Sequence, residues 1–180
     1  DDAWYEQYLL AQDPSMSTAD ILEHMRGRQF AHVLPTRVQA KSVAWDLMKW
    51  YCLGAPGAEA NESELSIRFP PTKRNPLGSK IRLFGSDDPD ALRGVPLWGV
   101  SFDEYSQMPA NTYTEVVSKS LADHLGYCHF IGTLKGKNQL WKLWNQNKHD
   151  PRWLTIWQDV AMSLTTEEGA TIRALQLAML

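Results

Sequence analysis

Apolar residues along the chain follow two periodicities, one typical of strands and one typical of helices. Short apolar runs predict strands in QFAHVLP, LWGVSFD, YCHFIGT and WLTIWQDV, which are residues 29–35, 97–103, 127–133 and 153–160. Longer stretches with apolar residues every three or four positions predict helices at 17–27, 37–54, 112–125, 138–147 and 166–179. Segments 64–69 and 80–85 alternate apolar and polar residues around a link with Pro, Gly and Asn, which indicates a hairpin. Alternating strands and helices predict an α/β fold with a mostly parallel central sheet flanked by helices and an antiparallel hairpin insertion.

The segment RVQAKSVAWDLMKWYCLG, residues 37–54, has the clearest helical pattern. Gly54 is suited to end this helix. A shared face is expected for its regularly spaced apolar residues, Val38, Val43, Ala44, Leu47, Met48 and Tyr51.

Three predicted strands finish in residues that suit a ligand site. Their ends are residues 34–36 (LPT), 102–104 (FDE) and 131–133 (IGT). In a parallel sheet, ligands bind beyond the carboxyl ends of the strands. There Asp103 can hold Mg²⁺ through water, and Glu104 can polarise an attacking water. The alternative is that both carboxylates only cap the following turn.

Composition limits the other functions that the chain can have. Its 180 residues fit one domain, 1–180, and its net charge of −3 provides no global basic field for nucleic acid, so such a contact must be local. Only Cys52 and Cys128 are present, so we expect buried thiols and no disulfide framework. No apolar run approaches the length of a membrane span, and no membrane association is expected.

Three stretches together resemble a known family. They are HVLPTRVQAKSVAWDLMKW, IRLFGSDDPDALRGVPLWGVSFDEYSQMP and FIGTLKGKNQLWKLW. They look like the ATPase domain of the large terminase subunit of tailed bacteriophages, over about residues 17–160. The resemblance implies a P-loop NTPase fold of the ASCE/RecA-like type, and ATP hydrolysis with Mg²⁺ that drives double-stranded DNA into a procapsid. It also implies a homo-oligomeric ring in the host cytoplasm, with portal protein and terminase small subunit as partners.

The resemblance gives roles to individual residues. Asp103 and Glu104 match the Walker B aspartate and the catalytic glutamate, and Gly132 and Thr133 match the coupling motif. Arg93 matches an arginine finger that acts on the ATP of a neighbouring subunit. The alternative for Arg93 is a surface ion pair with one of the aspartates of its loop, namely Asp87, Asp88 or Asp90.

Two further pairs of residues have family roles and simpler alternatives. Tyr5 and Gln7 lie where the family contacts adenine, although WYEQYLLAQ also fits an amphipathic helix. Lys135 and Lys137 lie beside the coupling motif and can contact DNA phosphates, although a solvated loop explains them equally well.

One departure from the family pattern concerns the phosphate loop. No G-x-x-x-x-G-K-[ST] occurs; around residues 12–17, Ser17 and Thr18 can take the hydroxyl positions, but Met16 replaces the lysine. Either the loop is missing from this chain, which we favour, or the domain has lost ATP binding and serves as a docking or assembly module. A superfamily 2-like helicase fragment is a third reading. The family's nuclease domain has no residues here, so DNA cleavage by this chain is not expected.

Overall fold

The structure, a computed structural model, describes residues 14, 15, 17, 27–73, 75, 77–134 and 136–156. By its internal contacts the chain divides into two units, residues 1–140 and 141–180. The predicted helix at 166–179 lies outside the described residues, as does the helix predicted at 17–27 apart from its two end residues, which are not helical.

The first unit contains a six-stranded sheet. Its strands are β1 (Arg28–Leu34), β2 (Glu59–Asn61), β3 (Ser66–Phe69), β4 (Ser79–Gly85), β5 (Leu97–Phe102) and β6 (Tyr127–Phe130), in the order β2-β3-β4-β1-β5-β6. Strands β4, β1, β5 and β6 are parallel, while β3 is antiparallel to both β2 and β4. The mostly parallel sheet and its antiparallel hairpin are therefore confirmed. Strand β5 lies between β1 and β6, and its apolar residues other than Trp98 are buried, on both faces of the sheet.

The described residues form three helical stretches. The first, α1, joins α-helical Arg37–Gln39, π-helical Ala40–Trp45 and α-helical Asp46–Cys52. The second, α2, joins π-helical Thr112–Val117 and α-helical Ser118–Asp123, and α3 is Gln139–Asn147. Two short 3₁₀ turns, Pro89–Leu92 and Tyr105–Gln107, lie before and after β5. No helix among the described residues is long and apolar enough to cross a bilayer.

The predicted helix 37–54 forms, but it buries only part of the face that its α-helical spacing predicts. Ala40 and Trp45 are buried, five residues apart, which is the spacing that a π-helix places on one side. The apolar residues outside this buried side are exposed: Val38, Val43, Leu47, Trp50 and Tyr51. Of the predicted face, Ala44 and Met48 are partly buried against the core, whereas its other four residues are exposed, so the predicted face and the buried side coincide only in part.

Two other elements differ from the predicted ones. Strand β2 has no apolar alternation and all three of its residues are exposed, so its pairing with β3 leaves no hydrophobic signal in the sequence. In the second unit, residues 153–156 of the predicted strand 153–160 are not a strand, and 157–160 lie outside the described residues. The Trp153 N–H donates to the Asp150 carbonyl at 2.9 Å, which makes a turn there, and Leu154 and Ile156 are exposed.

Candidate functional site

The ends of β1, β5 and β6 lie at one edge of the sheet. The Asp103 N–H donates to the Val33 carbonyl at 2.9 Å, and the Ile131 N–H donates to the Phe102 carbonyl at 2.9 Å. Beyond these bonds the chain leaves each strand, so the polar residues that follow are brought to the same edge. This edge is where parallel sheets bind ligands.

The end of β1 is fastened to the end of β4. The Ser86 N–H donates to the Leu34 carbonyl at 2.8 Å, and the Ser86 hydroxyl donates to the Pro35 carbonyl at 2.9 Å. The Arg37 N–H donates to Asp87 Oδ1 at 3.0 Å. These contacts fix the point at which α1 leaves the sheet.

Helix α1 begins with a side-chain cap. Thr36 Oγ1 accepts a hydrogen bond from the Gln39 N–H at 3.1 Å, and the Thr36 hydroxyl also reaches Gln39 Oε1 at 3.2 Å. The T-x-x-Q spacing is that of a capping box, and it is a signal from which the role of Thr36 could have been predicted.

Asp103 is half-buried at the strand end. Within the described residues its carboxylate makes no hydrogen bond or ion pair, so its oxygens are available to a ligand. The described residues also contain no cluster of three or more potential metal ligands. A single available carboxylate fits Mg²⁺, which proteins usually hold through one or two carboxylates together with water and substrate phosphates.

Glu104 follows in a left-handed backbone conformation, with φ 56° and ψ 41°. This conformation is unfavourable for a residue with a Cβ, and it turns the chain sharply from β5 into the 3₁₀ turn. Gln107, in that turn, donates from Nε2 to Glu104 Oε2 at 3.2 Å. The glutamate side chain is therefore oriented by a neighbouring amide.

An aromatic cluster, consisting of Phe102, Tyr105, Tyr113 and Phe130, supports the two carboxylates. The Phe102 and Phe130 rings stack with centroids 5.3 Å apart, and Tyr105 meets Phe130 edge-on at 4.8 Å. Burial raises the pKa of Tyr105 to about 12, with smaller contributions from Cys128 and Tyr113. Tyr105 therefore stays protonated at neutral pH, and it supports the strand end as a packed ring.

Gly132 packs against the backbone of Glu104. A Cβ placed on Gly132 would lie 3.3 Å from Glu104 Cα and 3.3 Å from the Tyr105 nitrogen. The Tyr105 N–H also donates to the Ile131 carbonyl at 3.0 Å. Thr133, the next residue, is exposed. The segment after β6 thus contacts Glu104, which the sequence predicts to be the water activator. The roles of Glu104, Gly132 and Thr133 stay predictions.

Gln139 contacts the same turn from the start of α3. Its Nε2 donates to the Met108 carbonyl at 2.5 Å and to the Tyr105 carbonyl. No local sequence signal points to this contact, because it joins residues more than thirty positions apart.

Arg93 is exposed and its guanidinium pairs with Asp90. One of the aspartates of its loop is therefore its partner in this structure. The six residues of β5 separate Arg93 from Asp103, and at about 3.3 Å per residue they span roughly 20 Å. That distance exceeds the reach of an arginine side chain.

Only some of the other predicted site residues are among the described residues. Tyr5, Gln7, Thr18 and Lys135 lie outside the described residues. Ser17 is exposed without regular secondary structure, and Lys137 is exposed on the segment that leads to α3.

An apolar groove of about 370 Å³ lies between α1 and the middle of the sheet. Phe30, His32, Met48 and Tyr127 are among its lining residues, and neither Asp103 nor Glu104 is. Its apolar walls do not suit a phosphate. We therefore place the candidate site at the strand ends rather than in this groove.

Comparison with known proteins identifies the fold. No protein-family model matches this sequence, and no curated protein matches it. The large terminase ATPase domain of Thermus phage P74-26 matches with a TM-score of 0.52 and 23% identity, over 66% of this chain and 53% of that one. The large terminase of the thermophilic bacteriophage D6E, in complex with ADP, matches with a TM-score of 0.56 and 16% identity, over 91% of this chain and 39% of that one.

The fold is that of a large terminase ATPase domain. The P-loop NTPase type of α/β fold is thereby confirmed, as is the resemblance seen in the sequence motifs, at the level of fold. This chain spans about half of the P74-26 domain, at 53%, and a smaller part of the D6E protein, at 39%. A further D6E structure with the terminase ATPase fold holds ATP-γ-S; it matches with a TM-score of 0.50 and 13% identity, over 81% of this chain and 32% of that one.

Proposed function

We propose that this chain is the ATP-hydrolysing motor domain of a viral DNA-packaging terminase, which drives double-stranded DNA into a procapsid. The observation that supports it most is the position of Asp103 and Glu104. They follow the largely buried strand β5, at the carboxyl end of a sheet with the terminase ATPase fold, against the segment that carries Gly132 and Thr133.

Asp103 and Glu104 have different roles in hydrolysis. The carboxylate of Asp103 would hold Mg²⁺ through water, and the ion would supply positive charge to the phosphates of the nucleotide. The Glu104 carboxylate orients a water for in-line attack on the γ-phosphorus and accepts its proton. The bond from that phosphorus to the β–γ bridging oxygen breaks, which leaves ADP and phosphate.

The remaining residues bind the nucleotide, complete the site or transmit its state. Ser17, Thr18, Tyr5 and Gln7 contact the nucleotide, and Arg93 reaches the ATP of the next subunit in a homo-oligomeric ring. Four residues act after hydrolysis: Gly132 and Thr133 sense phosphate loss, and Lys135 and Lys137, on the following segment, contact DNA phosphates.

The proposed partners are those of a packaging motor. They are double-stranded DNA, other copies of the chain, a portal protein and a terminase small subunit. Packaging takes place in the host cytoplasm, where the procapsid assembles.

The missing phosphate loop supports a second candidate function. A P-loop lysine and its glycines bind the β- and γ-phosphates, and the 180 residues contain no such motif. Hydrolysis therefore requires a phosphate loop in addition to these residues. A chain without one would be a non-catalytic docking or assembly module. The reading frame around residues 12–17 in the viral genome separates the two, because a G-x-x-x-x-G-K-[ST] there favours the motor.

The biochemical test compares two Glu→Gln variants of the intact-length protein, in which the phosphate loop is present. Glu104→Gln keeps the shape of the side chain and removes its charge, so we expect turnover to fall by about 100-fold or more with nucleotide affinity unchanged. Glu115→Gln, at an exposed position in α2, is the matched control and should behave as the wild type. Nucleotide affinity is measured with a fluorescent ATP analogue, and turnover by phosphate release. Equal turnover in both variants refutes the role of Glu104, and a wild-type protein that binds no nucleotide favours the docking module.

A further inference from the structure

The turn that follows Glu104 is held by the segment that follows β6 at two points. On one side, the Tyr105 N–H donates to the Ile131 carbonyl at 3.0 Å. On the other, the Gln139 side chain donates to the carbonyls of Tyr105 and Met108. Gly132, between these two points along the chain, packs on Glu104 itself.

The hydrogen-bonding groups at this contact determine how the side-chain amide of Gln139 is oriented. A side-chain amide has two N–H donors on its nitrogen, and both carbonyl oxygens are acceptors only. The amide nitrogen must therefore face the turn, and one side chain satisfies two backbone groups at once. Tyr105 and Met108 are 4% and 5% exposed, so little water is present to replace the amide.

These contacts leave Glu104 little freedom relative to Ile131, Gly132 and Gln139. Its backbone is already in the left-handed region, and the turn that follows it closes through the Gln107 N–H, which donates to the Glu104 carbonyl at 2.8 Å. A displacement of α3 would pull on the carbonyls of that turn and so change where the Glu104 carboxylate lies.

We propose that Gln139 is a positioning residue for Glu104: its amide fastens the 105–108 turn to the segment carrying Gly132 and Thr133, so that this segment and the water activator move together. The proposal rests on the proposed function for the role of Glu104. The contact itself is tested independently of hydrolysis.

The test uses two substitutions at Gln139 and one control. Gln139→Leu removes both donors at similar volume, whereas Gln139→Lys supplies an ammonium with three donors and no acceptor. Gln146→Leu, at an exposed position of the same helix, is the matched control. Hydrogen exchange over residues 103–108, turnover, nucleotide affinity and the thermal midpoint are measured for the whole chain.

We expect Gln139→Leu to speed hydrogen exchange in residues 103–108 and to lower kcat by about 10- to 100-fold with nucleotide affinity unchanged, since small misplacements of a catalytic group have effects of this size. Gln139→Lys should recover most of the lost rate and the slow exchange, and Gln146→Leu should match the wild type.

Three results overturn the proposal. The first is wild-type exchange in Gln139→Leu, and the second is faster exchange with an unchanged kcat. The third is equal loss of rate and of thermal midpoint in Gln139→Leu and Gln139→Lys, which would assign Gln139 to packing alone. If the intact-length wild type, with its phosphate loop, hydrolyses no ATP, the proposed function fails, and the exchange comparison between the Leu and Lys variants still decides whether Gln139 holds the turn.

Discussion

Only glycine fits at position 85, the last residue of β4, because the ends of β1 and β4 lie in contact there. A Cβ at this position would lie 2.1 Å from the Arg37 nitrogen and 2.1 Å from Asp87 Oδ1. The carboxylate of Asp87 can swing away, but the Arg37 nitrogen is backbone at the start of α1. Gly85→Ala therefore forces α1 and β4 apart at the edge of the sheet that carries the candidate site.

The loss in the free energy of unfolding that Gly85→Ala causes can be worked out from these two contacts. Inserting a methyl group into a packed region costs about 1–3 kcal/mol, and the upper value applies because the obstructing atom is backbone more than an ångström too close. The hydrogen bond from the Arg37 N–H to Asp87 is lost as well, at about 1 kcal/mol. The sum of about 4 kcal/mol corresponds to a fall of roughly 8–16 °C in the thermal midpoint for a chain of this size.

Thermal unfolding, followed by tryptophan fluorescence and circular dichroism, measures this fall. Gly54→Ala is the matched control, since no atom lies within 4 Å of a Cβ built at Gly54. The double variant Gly85→Ala with Asp87→Ala should recover only a small part of the loss, because the obstruction at Arg37 stays. A midpoint for Gly85→Ala within 2 °C (about 1 kcal/mol or less) of the control would refute the reasoning.

Four other predictions follow from the site. Asp103→Ala should weaken Mg²⁺-dependent nucleotide binding, and an unchanged Mg²⁺ dependence in calorimetry would contradict the assignment. Thr133→Val should reduce DNA packaging more than ATP turnover; equal losses would make Thr133 catalytic or structural. Mixing inactive Arg93→Ala subunits with inactive Glu104→Gln subunits should restore some hydrolysis if Arg93 acts in trans, and should restore none if it serves its own site. Burial lowers the pKa of His32 below its usual 6.5, and the negative charge of Asp103 opposes this shift only in part. The stability that His32 contributes above pH 6.5 should therefore be lost as the pH falls towards the lower pKa of the folded state. His32→Asn should flatten this pH dependence of the free energy of unfolding, measured at several pH values.

The sequence allowed the central part of the fold to be predicted, because β1 and β5 have buried apolar residues of the types found in core strands, although β6 has no buried residue. In β5 the apolar run ends at Phe102, and the carboxylates begin where the strand meets solvent. The same change from apolar to polar residues marks the ends of β1 and β6. A strand end is visible in sequence whenever burial stops abruptly, and so the residues of the candidate edge could be selected without a structure.

Features that depend on the pairing of distant residues could not be predicted in this way. The π-helical turn of α1 exposes Val43 and Leu47 although their spacing suits an α-helical core face. Strand β2 forms because it pairs with β3, and its own residues have no strand pattern. The amide of Gln139 reaches the 105–108 turn across a whole helix and strand of sequence. In each case the deciding partner lies outside any local window.

The backbone at Glu104 bears on the choice between a motor and a docking module. Among the described residues, three other than glycine have left-handed conformations, and the two besides Glu104, Leu65 and Leu125, have structural reasons for it. Leu65 is 1% exposed, so core burial offsets its strain, and Leu125 follows α2 in a turn closed by the Gly126 N–H, which donates to the Leu121 carbonyl at 2.8 Å. Glu104 is half-buried and charged, and glycine would adopt the same turn at lower cost. A module that kept only the fold would gain nothing from a carboxylate there, whereas hydrolysis needs one at the strand end; strain of this kind is characteristic of functional positions, and it favours the motor.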